Sequence, residues 1–262
     1  MEKKENHLVL DTIPNLYGLI GYPLSHSFSK KYFTDKYLKE NIKDHHYELF
    51  PLADIQELPQ FIAKYPNLKG LNVTIPYKEL VLPFLDQISE EADQIGAVNT
   101  IKLENGQLIG YNTDVYGFEH SLLNVCRKAP KMPSGALILG TGGAAKAISF
   151  VLKKLNIEYI NVSRTPTTTQ TTYQKLDYRM LQTYSLIINT TPLGMSPNQD
   201  TCPDIPYSSL TNINVLYDLV YNPEKTLFLK QGVLRQCQTK NGLEMLHLQA
   251  EKSWEIWTQN IK

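Results

Sequence analysis

The stretch LILGTGGAAKA, residues 137–147, constrains this chain of 262 residues more than any other. Four apolar residues run straight into Gly140-Thr141-Gly142-Gly143-Ala144-Ala145 and then into a helical pattern. Gly140 permits a tight turn, Gly142 lets the backbone approach a pyrophosphate, and the small Ala145 allows the helix to pack closely on the strand. The exposed N–H groups at the start of that helix suit phosphate oxygens. A plain turn would also tolerate glycines. The strand before and the helix after make a dinucleotide site the stronger reading, with Gly140, Thr141, Gly142, Gly143 and Ala144 at the phosphates.

The next strand bears on which dinucleotide. A carboxylate about 20 residues beyond the glycines would bind a ribose 2′-hydroxyl. Here Ser163-Arg164-Thr165 takes that place. A guanidinium pairs with a 2′-phosphate in bidentate geometry, so the strand end favours NADP over NAD. A solvated loop charge is the alternative role for Arg164.

Strand and helix patterns alternate through both halves. Leu16–Gly21, His46–Phe50, Gly70–Ile75, Asn99–Leu103 and Gln107–Tyr111 read as strands of a first region. Helical spacing covers Ser27–Glu40, Ile55–Tyr65, Tyr77–Phe84, Ser89–Ile95 and Val115–Lys128. Glu104-Asn105-Gly106 is a hairpin signal. Beyond a Pro/Lys/Gly-rich stretch, KAPKMPSG, strands are expected at Ala136–Leu139, Glu158–Val162, Ser185–Thr190 and Asn214–Leu219. Helices are expected at Gly143–Leu155, Thr226–Gln236 and Leu243–Thr258. The Thr-rich residues 165–172 read as a flexible surface loop. The pattern predicts an α/β protein of two domains: a mainly parallel α/β substrate domain over 1–113, completed by 240–262, and a Rossmann-type dinucleotide-binding domain over 114–239.

Composition narrows the function. Lys plus Arg and Asp plus Glu both number 26, so no net field draws in nucleic acid or a membrane surface. No apolar run approaches the ~18 residues that span a bilayer. Cys126, Cys202 and Cys237 are scattered, and the histidines His26, His45, His46, His120 and His247 lack metal-ligand spacing, so no metal is expected. The start, MEKKENHLVL, has no apolar leader core. The expected setting is cytoplasmic and the expected partner a small molecule, with a homodimer as the assembly considered.

Polar clusters sit where strands of the first region end. They are Ser25-His26-Ser27, Asn72-Val73-Thr74 with Lys78, Asn99-Thr100, and Asn112-Thr113-Asp114. Ligands of open parallel sheets bind at such ends. These side chains suit a substrate bearing hydroxyls and a carboxylate. Ser27 also reads as a helix cap, Lys78 as a solvated loop charge, and Asp114 as an N-cap. Spacing alone does not pair residues 36 positions apart.

Together the segments YPLSHSFS (22–29), NVTIPYK (72–78), GAVNT (96–100), GYNTDVYG (110–117), GTGGAA (140–145), SRT (163–165), NTTPLGM (189–195), YDLVYNPEKT (217–226) and NGLEMLHLQA (241–250) resemble shikimate dehydrogenase, in that family's order over nearly the whole chain. The resemblance implies reversible NADPH-dependent reduction of 3-dehydroshikimate to shikimate, in aromatic amino-acid biosynthesis. It implies Lys78 and Asp114 as a catalytic dyad, and Ser25 and Ser27 on the substrate carboxylate. Asn72, Thr74, Asn99, Tyr221 and Gln249 would contact substrate, while Asn189, Thr190, Leu219 and Gly242 would line the nicotinamide side. Lys30 stands where the family usually has Pro, Tyr32-Phe33 where it has His-Asn, Ser163 where it has Asn, and Glu244 where it has Gly. A quinate/shikimate dehydrogenase of relaxed specificity and a catalytically silent shikimate-binding paralogue are the competing readings.

Overall fold

Runs of buried apolar residues set the strands of two separate sheets in the computed structural model, which describes residues 10–24, 27–127 and 132–259. The chain divides into two compact units, Met1–Thr113 with Ala250–Lys262, and Asp114–Gln249. This division leaves 240–249 with the second unit, whereas the sequence reading placed 240–262 with the first. The reason is local. Gly242 abuts the Leu219 carbonyl, and Glu244 accepts hydrogen bonds from Asn124 and Ser121.

The first unit is built on six strands: β1 (Asn15–Gly21), β2 (His45–Pro51), β3 (Leu68–Val73), β4 (Gln87–Ile88), β5 (Thr100–Glu104) and β6 (Gln107–Tyr111). Their order is β2-β1-β3-β5-β6-β4. The sheet is mainly parallel, as the sequence predicts, with β5 the one strand of the six that runs against the rest. β1 runs parallel to β2 and β3, but β5 is antiparallel to both β3 and β6. The Asn105-Gly106 hairpin, where both residues take positive φ, 52° and 78°, turns β5 back into β6. Along β1, Leu16 and Ile20 face one core cluster with Leu71 and Ile101, while Tyr17 and Leu19 face another with Phe33, Tyr47 and Trp257. Burial on both faces explains why this strand reads as a continuous apolar run. Helices α1 (Ser29–Lys39), α2 (Leu58–Lys64), α3 (Tyr77–Leu80) and α4 (Glu90–Ile95) join the strands. The Ser89 side chain caps α4 by accepting from Ala92 N.

The second unit carries β7 (Gly135–Leu139), β8 (Glu158–Val162), β9 (Gln170–Thr171), β10 (Leu186–Asn189), β11 (Val215–Asp218) and β12 (Gln238–Lys240). The order β12-β11-β10-β7-β8-β9 is all parallel. Counted from β7, that is the 3-2-1-4-5-6 arrangement of dinucleotide-binding sheets, with its crossover reversal between β7 and β10. Helices α5 (Thr113–Cys126), α6 (Gly143–Lys154), α7 (Tyr178–Thr183) and α8 (Leu227–Leu234) follow, and α9 (Leu243–Thr258) ends the chain's regular structure among the described residues. The stretch 165–172 is not wholly loop, because Gln170–Thr171 pairs with β8 as the edge strand β9.

Candidate active site

At the carboxyl edge of the first sheet, the backbone draws two loops together. Thr74 N donates to Ile20 O at 3.0 Å, and Tyr22 N donates to Ile75 O at 3.1 Å. The loops after β1 and β3 are therefore laced side by side. Ser27 lies on the first of them, with its Oγ accepting from Ser29 N at 3.3 Å at the entry to α1. Ser25 lies outside the described residues. Lys78 sits in α3, half-buried, and its carbonyl accepts from Val98 N at 2.7 Å. That bond anchors the lysine's backbone to the segment leading into Asn99.

Asn72 and Asn99 are buried in a shared polar network rather than pointing freely outward. Tyr47 Oη donates to Asn72 Oδ1 at 2.8 Å, and Asn72 Nδ2 donates to Ser253 Oγ at 3.0 Å and Thr100 Oγ1 at 3.2 Å. Asn99 Oδ1 accepts from Thr113 N at 2.7 Å, and its Nδ2 donates to Thr113 Oγ1 at 3.0 Å. The polar strand ends mark this region in the sequence. Thr100 and Thr113 belong to those same strand-end clusters, but Tyr47 and Ser253 stand outside them, because a lone tyrosine or serine carries no spacing signal.

The same unit accounts for three of the family departures. Lys30 Nζ reaches Glu48 at 2.5 Å. Burial would raise the Glu48 carboxyl, but hydrogen bonds from His46 and Lys30 outweigh it and hold the group down to about 2. Tyr32 donates to Glu251, and Phe33 stacks on Tyr47 with ring centroids 4.4 Å apart.

In the second unit, the turn after β7 has the geometry a pyrophosphate needs. Gly140 takes φ +118°, and a Cβ there would come within 2.6 Å of Thr190 Oγ1. Gly142 caps α6 with an extended backbone and no side-chain hydrogen bond, and a Cβ built on it meets nothing within 4 Å. Open space therefore lies directly before the uncapped N–H groups of Gly143 and Ala144, with Thr141 exposed beside them. The residues present fit a dinucleotide phosphate. Arg164 is exposed at the end of β8, where Ser163 Oγ accepts from Thr165 N at 3.2 Å.

Across the switch point, Thr190 Oγ1 donates to Leu139 O at 2.8 Å, fixing the end of β10 against β7. Asn189 is fully buried, and its Nδ2 donates to Asp218 Oδ1 at 2.9 Å. Asp218 also accepts from Val220 N at 3.0 Å and from Thr226 Oγ1 at 2.5 Å. Burial pushes this carboxyl up to about 6 despite the three donors. Asp218 thus ties β10, the loop of Leu219–Tyr221 and the N-terminus of α8 together. Nothing in the sequence marks it, because an aspartate closing an apolar strand looks like a solvated loop residue. Leu219 N donates to Asn189 O at 3.0 Å, and a Cβ on Gly242 would meet the Leu219 carbonyl oxygen at 2.1 Å. Asn189, Thr190, Leu219 and Gly242 are thereby brought into one neighbourhood. Tyr221 is half-buried beyond β11, and burial raises its hydroxyl. Asp114, buried in the first turn of α5, and Gln249, whose Nε2 donates to Leu246 O at 2.9 Å, also belong to this unit.

Comparison with known proteins agrees with both halves of this geometry. Residues 19–101 match the family model of the shikimate dehydrogenase substrate binding domain. The NADP(+) shikimate dehydrogenase of Carboxydothermus hydrogenoformans is 38% identical, over 93% of this chain and 91% of its own length. That of Clostridium beijerinckii is 40% identical, over 93% and 92%. The crystal structure of shikimate 5-dehydrogenase from Thermus thermophilus, in complex with NADP(H) and shikimate, aligns with a TM-score of 0.81 at 28% identity and covers 93% of each chain. A glycine turn on a 3-2-1-4-5-6 sheet, a polar strand edge in a separate unit, and relatives that share the full length converge on one assignment: this chain belongs to the shikimate dehydrogenase family.

Proposed function

We propose that the chain is an NADP-dependent shikimate dehydrogenase, interconverting 3-dehydroshikimate and shikimate in aromatic amino-acid biosynthesis. The observation that carries this reading is identity of 35–40% to NADP(+) shikimate dehydrogenases over more than nine-tenths of the chain. Arg164 at the end of β8, with no carboxylate beside it in Ser163-Arg164-Thr165, supports a 2′-phosphate there. When bound, NADP(H) supplies the hydride chemistry.

The chain's own residues take the remaining roles. Lys78 stabilises the oxyanion that develops at the reacting ring carbon and passes it a proton in the reducing direction. Asp114 orients Lys78 and accepts a hydrogen bond from a neighbouring ring hydroxyl. Ser25 and Ser27 bind the substrate carboxylate, while Asn72, Thr74, Asn99, Tyr221 and Gln249 hold ring substituents. Thr141, Gly143 and Ala144 receive the pyrophosphate beside Gly140 and Gly142, and Asn189, Thr190, Leu219 and Gly242 flank the nicotinamide. The anchoring of Lys78 by Val98 N and of Asn99 by Thr113 N supports a preformed site.

The test is a turnover assay with purified protein, supplying shikimate or quinate with NADP or NAD and following the reduced nicotinamide. Shikimate with NADP should give the highest kcat/KM of the four pairs. An absence of turnover with shikimate under any pairing overturns the assignment, and an equal rate with quinate reassigns the specificity.

A further inference from the structure

The buried network of the first unit has a direction. Asn72 Nδ2 lies 3.4 Å from the Asn99 carbonyl, which can only accept, so the amino side of the Asn72 carboxamide faces the network. Asn99 Oδ1 lies 2.7 Å from Thr113 N, which can only donate, so the Asn99 carboxamide is held with its oxygen there and its Nδ2 donating to Thr113 Oγ1 at 3.0 Å. Between these two amides stand three hydroxyls. Ser253 Oγ is 2.8 Å from Thr100 Oγ1 and 3.1 Å from Thr113 Oγ1, and the two threonine oxygens are 3.2 Å apart. All three are at most 1% exposed.

The two ends of the network are fixed in direction. Asn72 Nδ2 donates to Ser253 Oγ at 3.0 Å and to Thr100 Oγ1 at 3.2 Å, and Thr100 donates to Asn99 Oδ1 at 3.1 Å, while either hydroxyl can donate in the 2.8 Å contact between Ser253 and Thr100. A chain of this kind is polarised along its length and holds both ends in one orientation. The last helix, α9, contributes Ser253 to it. We propose that Ser253 is a positioning residue for substrate recognition: its buried hydroxyl joins the carboxamides of Asn72 and Asn99 into one oriented unit, so that helix α9 sets the donors and acceptors the substrate meets. This inference rests on the reading of Asn72 and Asn99 as substrate contacts. It adds to that reading a residue of α9 that touches neither substrate nor cofactor.

The experiment compares Ser253→Ala, Thr100→Val, the double variant and Asn99→Ala by calorimetric titration with shikimate, steady-state kinetics and thermal unfolding. Ser253→Ala and Thr100→Val should each raise the shikimate Kd and KM by about tenfold, the scale of one buried hydrogen bond. The NADP KM and kcat should stay near the wild-type values. Because both variants loosen the same network, the double variant should bind no worse than about twofold beyond either single one. A lowered unfolding midpoint with unchanged shikimate Kd in both single variants, while Asn99→Ala weakens binding, overturns the positioning role and leaves the substrate contacts standing. Unchanged binding in Asn99→Ala as well overturns both. Thr100→Val tests the same link from the sheet side if Ser253→Ala does not fold.

Discussion

Two glycines of one turn should separate folding from cofactor binding when each is changed to alanine. At Gly140 the φ of +118° is a conformation that residues with a Cβ adopt at a cost of about 1–3 kcal/mol. The added Cβ would also sit 2.6 Å from Thr190 Oγ1, whose bond to Leu139 O would have to yield, at a further ~1 kcal/mol. Gly140→Ala should therefore lose about 2–4 kcal/mol, which lowers the unfolding midpoint by roughly 5–15 °C. Gly142 has φ −76° and ψ −176°, ordinary extended backbone, with open space where an added methyl would sit. Gly142→Ala should leave stability within about 1 kcal/mol of wild type, the small loss at the N-cap being offset by lower entropy of the unfolded chain. Its methyl would instead intrude on the phosphates, at about 1–3 kcal/mol, or roughly 5- to 150-fold in NADP Kd. Thermal unfolding without cofactor and calorimetric titration with NADP read the two effects. Wild-type NADP affinity in Gly142→Ala would refute the phosphate assignment, and an unshifted midpoint in Gly140→Ala would refute the backbone argument.

Asp218 should make the protein's stability depend on pH. Its carboxyl is raised from 3.8 to about 6, chiefly by burial, so its contribution is fully present below the unfolded value and is lost as pH rises through about 6. Relative to Asp218→Asn, the wild type should lose on the order of 3 kcal/mol between about pH 4 and pH 7, and a stability difference that stays flat over that range contradicts the burial argument. Arg164→Ala should cut the preference for NADP over NAD by about tenfold or more, through a higher KM for NADP, whereas an unchanged preference would make Arg164 a solvated loop charge.

Much of the architecture was legible because burial leaves a mark on composition. Residues 186–189 and 215–218 read as strands since both faces are covered, and Asn105-Gly106 announced its hairpin. The strands that escaped were β4, β9 and β12, each of two or three residues at a sheet edge, too short for any alternation to show. Helix α7 also escaped, though Asp177 accepting from Met180 N caps it in a pattern that could have been read. The glycine turn could be read from the sequence because its proposed ligand, a pyrophosphate, constrains backbone at adjacent positions. Lys78 and Asp114 were not, because nothing in their spacing pairs them, and only the resemblance to a family singled them out. Asp218 and Ser253 were invisible for a related reason. Their partners, Asn189 and Thr226 for one, Asn72 and Thr100 for the other, come from other elements, so their roles exist only in the fold.

The proposed role of Lys78 is to handle the charge and proton of the ring oxygen as the ketone is reduced and re-formed. Steady-state oxidation of shikimate with NADP, measured side by side for the wild type and Lys78→Ala, tests it most directly. Clear turnover is expected for the wild type and a kcat at least about 100-fold lower for the variant, with the shikimate KM within a few-fold. A Lys78→Ala enzyme that keeps its kcat and only binds shikimate less tightly would contradict this role and leave Lys78 as a binding residue.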